Sequence, residues 1–291
     1  MFNHLSTTQK GMALALIGYT AFAFSDANVK HLSEIGYSSF QIIVSLTAIG
    51  AGLMLVFSSF LGGVQSLRDV GNFKTHGVRI VFNTAVNVLF VYCIARMPIA
   101  SLYTVIFTLP FIAAILSMII YKERVSVQRW ISIVAGFSGV VVAFQPWQGG
   151  ADLFLLALAF VNTVCIASTF LAARNLKGSS LLAIGFYPVL GSCLLLMPLA
   201  VMNFTAYEIT HVPFFVLAGI LMSTGVICVS FAFKIADSAV VTPIVYTEIL
   251  WAVIFGVLVF GDYPDRWMLV GVGIIILSGV YMLHSENSAK K

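Results

Sequence analysis

The sequence contains few charged residues, and this scarcity excludes an ordinary soluble domain. Only 9% of its 291 residues are charged, whereas soluble domains carry roughly 25%. Apolar residues make up 60% of the chain, and the mean hydropathy is +1.03. The composition therefore predicts an integral membrane protein in which the lipid bilayer is the main partner.

The sequence also lacks the motifs of catalysis and metal binding. It has no HExxH, GxSxG or CxxC pattern, and its histidines lie at the ends of apolar runs or between them. Its four cysteines lie in four separate apolar runs. We therefore predict that the protein is not an enzyme and that it needs no metal ion or other cofactor. The cysteines concerned are Cys93, Cys165, Cys193 and Cys228.

Long apolar runs dominate what is present. A helix needs about 20 apolar residues to cross the hydrocarbon core of a membrane. Breaks at charge clusters and at Gly, Pro and Asn predict an all-α polytopic membrane protein with ten transmembrane helices. The predicted spans are 11–29, 38–60, 76–95, 98–121, 127–145, 152–172, 181–203, 212–234, 238–260 and 267–284.

Positive charge is distributed unevenly between the two sides that these spans define. With a cytoplasmic N-terminus, twelve of the fifteen Lys and Arg residues fall on the cytoplasmic side. Only Lys30, Arg96 and Arg266 fall outside. This bias predicts that both termini are cytoplasmic. The same bias explains the net charge of +4. We therefore predict that the protein does not bind nucleic acid.

The chain resembles itself at an offset of about 139 positions. The segment "YCIARMPIASLYTVIFTLPFIAAILSMIIYKERVSVQRW" from Tyr92 aligns with "FAFKIADSAVVTPIVYTEILWAVIFGVLVFGDYPDRW" from Phe231. Five spans in each copy would place the second copy upside down relative to the first, which is a transporter architecture. We predict a first repeat at 11–146, a second at 151–285 and a tail at 286–291.

These repeats resemble the EamA family of the drug/metabolite transporter superfamily. The helix ending in "IIYKE" or "LVFGD" and the following "W…SGV" helix carry the resemblance, which spans residues 12 to 285. It implies two inverted EamA repeats in a bacterial inner membrane, with a cavity formed by spans 1, 3, 4, 6, 8 and 9. It also implies a secondary transporter that moves a small organic metabolite by alternating access. The alternative functions are a channel and an intramembrane enzyme.

The cargo implied by the resemblance is amphipathic or contains a ring. Nucleoside-like compounds, S-adenosylmethionine, vitamins such as riboflavin and amino-acid derivatives belong to this class. The transporter is expected to be a monomer or a homodimer.

The carboxylate of Glu248 is the most informative polar group within the apolar runs. It lies near the middle of the ninth predicted span, where acidic residues are rare and usually functional. Trp251, one turn away, could stack on a cargo, and Tyr246 is a weaker candidate. We expect Glu248 to bind the cargo or to couple transport to protons. A protonated Glu248 bonded to a neighbouring helix is the structural alternative.

Span 3 carries three polar residues four positions apart, which places them on one helical stripe. Asn83 and Asn87 either bind the cargo or hold two helices together. Arg79, nearer the cytoplasmic end, is a coupling or gating candidate or extends its side chain to the membrane surface.

Span 1 adds Tyr19 as a candidate cargo contact and Asp26 with Lys30 as a possible ion-paired gate. Thr108 and Asn162 complete the predicted cargo-binding residues. Pro110 and Pro243 both fall within spans, but they do not occupy equivalent positions in the two repeats. The prolines therefore give no basis for predicting a matched pair of broken helices.

Overall fold

The computed structural model describes residues 6–94, 96, 99–123, 125–145, 152–255 and 266–288. The described residues form helices joined by short connections, without a β-strand. The α-helices are α1 Thr7–Ile35, α2 Ser39–Val56, α3 Phe73–Ile94, α4 Ile99–Ile106, α5 Leu109–Tyr121, α6 Val127–Phe144, α7 Leu153–Ala172, α8 Leu181–Met202, α9 Val212–Ile235, α10 Ser238–Val241, α11 Thr247–Phe255 and α12 Arg266–Ser288.

Serine and aspartate side chains determine where several of these helices begin. The hydroxyls of Ser38, Ser126 and Ser180 accept hydrogen bonds from backbone N–H groups in the first turns of α2, α6 and α8. Asp152 does the same for α7. Such caps satisfy N–H groups that have no partner within the helix. The α1 helix ends at Gly36, whose φ of 110° suits a residue without a side chain.

Helices at equivalent positions of the two repeats form equivalent contacts. At the offset of 139, α3 begins at Phe73 and α9 at Val212, while α6 begins at Val127 and α12 at Arg266. Helix α1 of the first repeat corresponds to α7 of the second, and α3 corresponds to α9. Helix α1 packs on α9, and in the same way α7 packs on α3. Likewise, α1 packs on α11 as α7 packs on α5. These matched pairs give the bundle an approximate twofold symmetry.

The equivalent helices α6 and α12 run in opposite directions. A Cβ atom on Gly136 would lie 3.2 Å from Ser278 Oγ, whereas one on Gly139 would lie 2.7 Å from the carbonyl oxygen of Gly271. From Gly136 to Gly139 along α6, the neighbouring residue on α12 changes from Ser278 to Gly271. The residue numbers thus rise along one helix and fall along the other. The absence of side chains at Gly139 and Gly271 lets the two backbones approach closely. Antiparallel equivalent helices are what inverted repeats require.

The predicted spans 98–121 and 238–260 are broken helices rather than continuous ones. Helix α4 ends at Ile106 and α5 starts at Leu109, while a 3₁₀ segment, Thr242–Tyr246, separates α10 from α11. The last five residues of the second span, 256–260, lie outside the described residues. The two prolines are not equivalent and gave no reason to expect matched breaks. The breaks nevertheless match to within one residue at the offset of 139, since α5 begins at Leu109 and α11 at Thr247.

Threonine hydroxyls explain why the two breaks coincide. Thr108 Oγ1 donates to the carbonyl of Val105 at 2.6 Å, and Thr247 Oγ1 donates to that of Ile244 at 2.8 Å. Both the threonines and their acceptors are related by the offset of 139. Each hydroxyl satisfies a carbonyl oxygen close to the interruption. The local chemistry of the breaks is therefore repeated, although the positions of the prolines are not.

Five helices in the described part of the chain are long and apolar enough to cross a membrane. They are Thr7–Ile35, Ser39–Val56, Leu153–Asn175, Leu181–Met202 and Val212–Ile235. Shorter apolar helices cover Leu109–Tyr121, Val127–Ala143 and Arg266–Ser278. Helix α12 continues to Ser288, four residues beyond the end predicted for the tenth span. The fold is thus an all-helical membrane bundle of two repeats.

Candidate functional site

A cavity of about 230 Å³ lies between the two repeats. On α1 it extends from Tyr19 to Val29, and on α3 from Asn83 to Phe90. These positions place it in the half of the bundle where α1 ends and α2 begins. Its other lining residues are Phe22, Ser25, Asp26, Ile43, Leu46, Val86, Asn87, Tyr103, Ile106, Leu109, Ile166, Thr169, Phe170, Met222, Val226, Val245 and Glu248.

The cavity lies on the approximate twofold axis that relates the repeats. Four pairs of residues separated by 139 positions contribute both members to its lining. In three of these pairs a polar residue is matched by an apolar one. The pairs are Asn83 with Met222, Asn87 with Val226, Leu109 with Glu248, and Ile106 with Val245. The two repeats therefore build one site with different chemistry on its two sides.

Two carboxyl groups line this cavity. Glu248 lies in the first turn of α11, directly after the 3₁₀ segment Thr242–Tyr246. Asp26 is exposed to the cavity and accepts a 3.5 Å hydrogen bond from the Tyr103 hydroxyl. The two carboxyls are within electrostatic range of each other. None of the described side chains that line the cavity is basic.

Two polar groups of the lining are buried without a hydrogen-bond partner among the described residues. They are the hydroxyl of Tyr19 and the amide nitrogen of Asn87. Tyr19 is only 2% exposed. Buried polar groups in native proteins are nearly always paired. A cargo atom in the cavity would provide the missing partner.

Asn83 also lines the cavity, but its amide nitrogen is already engaged. It donates to Ser192 Oγ at 2.7 Å and to the carbonyl of Pro188 at 3.3 Å. Both acceptors belong to α8. Asn83 therefore joins two helices and leaves only its side-chain oxygen available to the cavity.

Arg79 does not line the cavity and does not extend to the membrane surface. It is fully buried, and its guanidinium group donates to the carbonyls of Thr169 and Ile184 and to Ser230 Oγ at 2.7–3.0 Å. The three acceptors lie on α7, α8 and α9. Arg79 thus ties α3 to three helices of the second repeat.

Four other predicted contacts lie away from the cavity lining. The Trp251 indole donates to Thr20 Oγ1 at 3.0 Å. Tyr246 is buried and donates to the Ile133 carbonyl, and the Thr108 hydroxyl donates to the Val105 carbonyl at the end of α4. Asn162 is fully buried, and its side-chain oxygen and nitrogen have no partner among the described residues. The side chain of Lys30, and with it the predicted pairing to Asp26, lies outside the described residues.

The bundle is tightly packed on the side of the cavity that faces the start of α1. The equivalent residues Phe107 and Tyr246 meet edge to face, with ring centroids 6.2 Å apart. Phe170 and Phe233 stack at 5.6 Å. At the surface of this end, Glu123 pairs with Arg174 and also accepts hydrogen bonds from two serines, Ser117 and Ser238. We call these four residues the Glu123 cluster.

Sequence reasoning missed much of the aromatic lining of the cavity. Phe22, Phe90, Tyr103 and Phe170 all contact it. Aromatic residues are common throughout membrane helices, so composition alone does not single these out. Their helical spacing relative to Asp26 and Asn87 was the available signal, since Phe22 precedes Asp26 by one turn and Phe90 follows Asn87 by one turn.

Curated relatives of this chain include metabolite carriers. It is 28% identical over 207 residues to an S-adenosylmethionine uptake transporter of Rickettsia prowazekii (strain Madrid E), which covers 68% of this chain and 67% of the relative. It is 25% identical over 291 residues to a riboflavin transporter of Vibrio cholerae, covering 97% of this chain and 95% of that one.

A solved crystal structure shares the fold at 14% sequence identity. Its TM-score is 0.80, and the match covers 96% of this chain and 99% of the other. The sequence profile described as the EamA-like transporter family matches residues 9–145 and 153–284. These two segments correspond to the two repeats and include nearly the whole sequence. The chain therefore belongs to the EamA-like transporter family, whose members are transporters rather than enzymes.

Proposed function

We propose that the protein is a secondary transporter that carries a small, ring-containing organic metabolite across a bacterial inner membrane by alternating access. The observation that carries this proposal is the cavity between the repeats, with its paired positions and unpartnered polar groups. The names of the relatives support the cargo class, because S-adenosylmethionine and riboflavin both contain rings.

The proposed topology has ten spans and a cytoplasmic N-terminus. Broken helices supply the fourth span as α4 with α5, and the ninth as α10 with α11. With the N-terminus cytoplasmic, the end of α1 and the start of α2 lie outside. The cavity then occupies the outer half of the membrane, and the Glu123 cluster closes the cytoplasmic side. This arrangement corresponds to an outward-facing state.

Glu248 is the proposed coupling residue. Its carboxyl shares the cavity with Asp26, Tyr19 and Tyr103, so its charge affects whatever binds there. Binding of a proton to Glu248 would reduce the repulsion between the two carboxyls. Transport would then depend on pH through this pair.

Counterflow in proteoliposomes tests the proposal. Vesicles containing the purified protein are loaded with a metabolite extract, and mass spectrometry identifies compounds that exchange across the membrane. We expect saturable exchange that an excess of the same compound on the opposite side accelerates.

E248Q should reduce exchange and flatten its pH dependence, whereas E208Q, which removes an exposed carboxylate outside the cavity, should leave both unchanged. Non-saturable flux would indicate a channel, and a chemically altered solute would indicate an enzyme.

A further inference from the structure

We propose that the cargo bound in this cavity is an organic cation with one or two planar rings. The inference rests on the proposed function, because it names the chemical class of the molecule carried at the same site. The lining of the cavity contains acidic side chains without basic ones among the described residues. Asp26 and Glu248 line one cavity, and no described side chain in that lining is basic.

The carboxyl groups have little support from the protein. Asp26 receives one long hydrogen bond from Tyr103, at 3.5 Å. Among the described residues, none donates a hydrogen bond to the carboxyl of Glu248. A carboxylate removed from bulk water needs a counter-charge or several donors. A positively charged cargo provides the counter-charge to both groups.

Unpartnered donors indicate where the rest of the cargo would lie. The hydroxyl of Tyr19 and the amide nitrogen of Asn87 are buried in the lining, and neither has an acceptor among the described residues. The Asn87 amide nitrogen only donates and requires an acceptor atom, whereas the Tyr19 hydroxyl can donate or accept. The cargo should therefore combine a positive charge with at least one carbonyl, ring nitrogen or hydroxyl oxygen.

The aromatic lining favours a flat cation. Tyr19 and Phe22 have ring centroids 6.4 Å apart, and Phe90 and Tyr103 have theirs 6.5 Å apart at 83°. Aromatic faces attract cations, most strongly where water is excluded. A dry cavity of about 150 Å³ is large enough for benzene. The cavity here, at about 230 Å³, has room for a somewhat larger ring system.

Anionic cargo fits the same cavity poorly. Helix N-termini often bind anions in transporters with broken helices, and α11 begins at the cavity. The first turn of α11, however, already carries the carboxyl group of Glu248. An anion would also meet two carboxyl groups and no described basic side chain.

Pairs of compounds that differ mainly in charge test the inference. Trigonellinamide, a pyridinium cation, is compared with its neutral isostere meta-toluamide. S-adenosylmethionine, a sulfonium cation, is compared with the neutral thioether S-adenosylhomocysteine. The readouts are the shift in Tm of the purified protein and competition against exchange of the metabolite extract in proteoliposomes. We expect the cation of a pair to act at about tenfold lower concentration than its neutral partner, which corresponds to about 1.4 kcal/mol.

Variants at the two acids test whether the cavity is the source of this preference. D26N and E248Q should each reduce the preference for the cation, and the double variant should abolish it. E208Q removes a carboxylate from the exposed connection between α8 and α9 and should retain the preference. The Tm of each variant without ligand verifies that it is folded.

Three results would overturn the inference. They are exchange of neutral or anionic metabolites only, equal potency of the cation and its isostere in both pairs, and a cation preference that survives in the folded double variant. In each case, saturable exchange of some metabolite would leave the proposed transport function intact. Absence of exchange with every compound would instead overturn the transport function, and this inference with it.

Discussion

At the scale of single residues, three polar side chains of α3 have three different tasks. Arg79 joins α3 to the second repeat through acceptors on three helices. Asn83 joins α3 to α8 and also faces the cavity. Asn87 faces the cavity with an amide nitrogen that has no partner among the described residues. Position along α3 thus separates the two side chains that join helices from the one whose amide nitrogen has no partner in the cavity lining.

Replacing the two asparagines should separate these roles experimentally. Asn87→Ala should raise KM by about 2- to 10-fold, because a hydrogen bond contributes about 0.5–1.5 kcal/mol. Its Tm should change little. Asn83→Ala should lower Tm, because an interhelical hydrogen bond in a membrane contributes about 0.6–1.7 kcal/mol. Exchange kinetics measure KM, and thermal unfolding measures Tm. A lower Tm in Asn87→Ala but not in Asn83→Ala would contradict the assignment of Asn83 to helix packing and of Asn87 to cargo binding.

The sequence identified the acids and amides of the cavity but not their individual roles. An acid in an apolar run and amides at a spacing of four are visible without coordinates. Which partner satisfies each amide depends on the packing of α8 against α3, and a sequence does not specify that packing. For the same reason the sequence did not reveal that the Trp251 indole donates to Thr20 on α1, and a contact between Trp251 and the cargo stays a prediction.

At the scale of helices, the breaks in the two repeats place unlike residues at equivalent positions. Leu109 begins α5, and Glu248 lies at the corresponding position of α11. Both line the cavity. The prolines do not reveal that the breaks match, because the feature shared by the two breaks is a threonine bonded to the carbonyl three residues before it.

The Glu123 cluster joins elements of both repeats at the closed end of the cavity. Glu123 follows α5 in the first repeat, whereas Arg174 and Ser238 belong to the second. Alternating access requires these elements to separate when the cavity opens towards this end. The ion pair between Arg174 and Glu123 is partly buried: the Arg174 side chain is 22% exposed and the Glu123 side chain is 16% exposed. We therefore expect a modest contribution to the closed state.

Neutralising this cluster should loosen the closed end. E123Q should speed amide hydrogen exchange by about 1.4- to 5-fold in the segments around Arg174 and Ser238, because a partly exposed ion pair contributes about 0.2–1 kcal/mol and its loss favours local opening. Exchange measured by mass spectrometry reports both segments. E208Q, near the other end of α9, is the matched control. Unchanged protection in E123Q would show that the apolar packing alone keeps this end closed.

At the scale of the whole molecule, two antiparallel copies of one unit enclose a single asymmetric cavity. The internal similarity of the sequence predicted this arrangement, because repeats of five spans must alternate in orientation. The contacts of α6 with α12 agree with it. The sequence could not predict which end of the cavity is closed. That property depends on the packing of Phe107, Tyr246, Phe170 and Phe233, whose positions become adjacent only in the folded bundle.

Access to the cavity from each side of the membrane is the most direct test of the account. The measurement uses Met222→Cys in a variant whose four native cysteines are replaced, with a membrane-impermeant thiol reagent applied to vesicles of either orientation. Met222 lines the cavity and is the counterpart of Asn83. We expect labelling from both sides, with E123Q increasing labelling from the cytoplasmic side. Labelling from one side only, in the wild-type background and in E123Q alike, would contradict alternating access through this cavity.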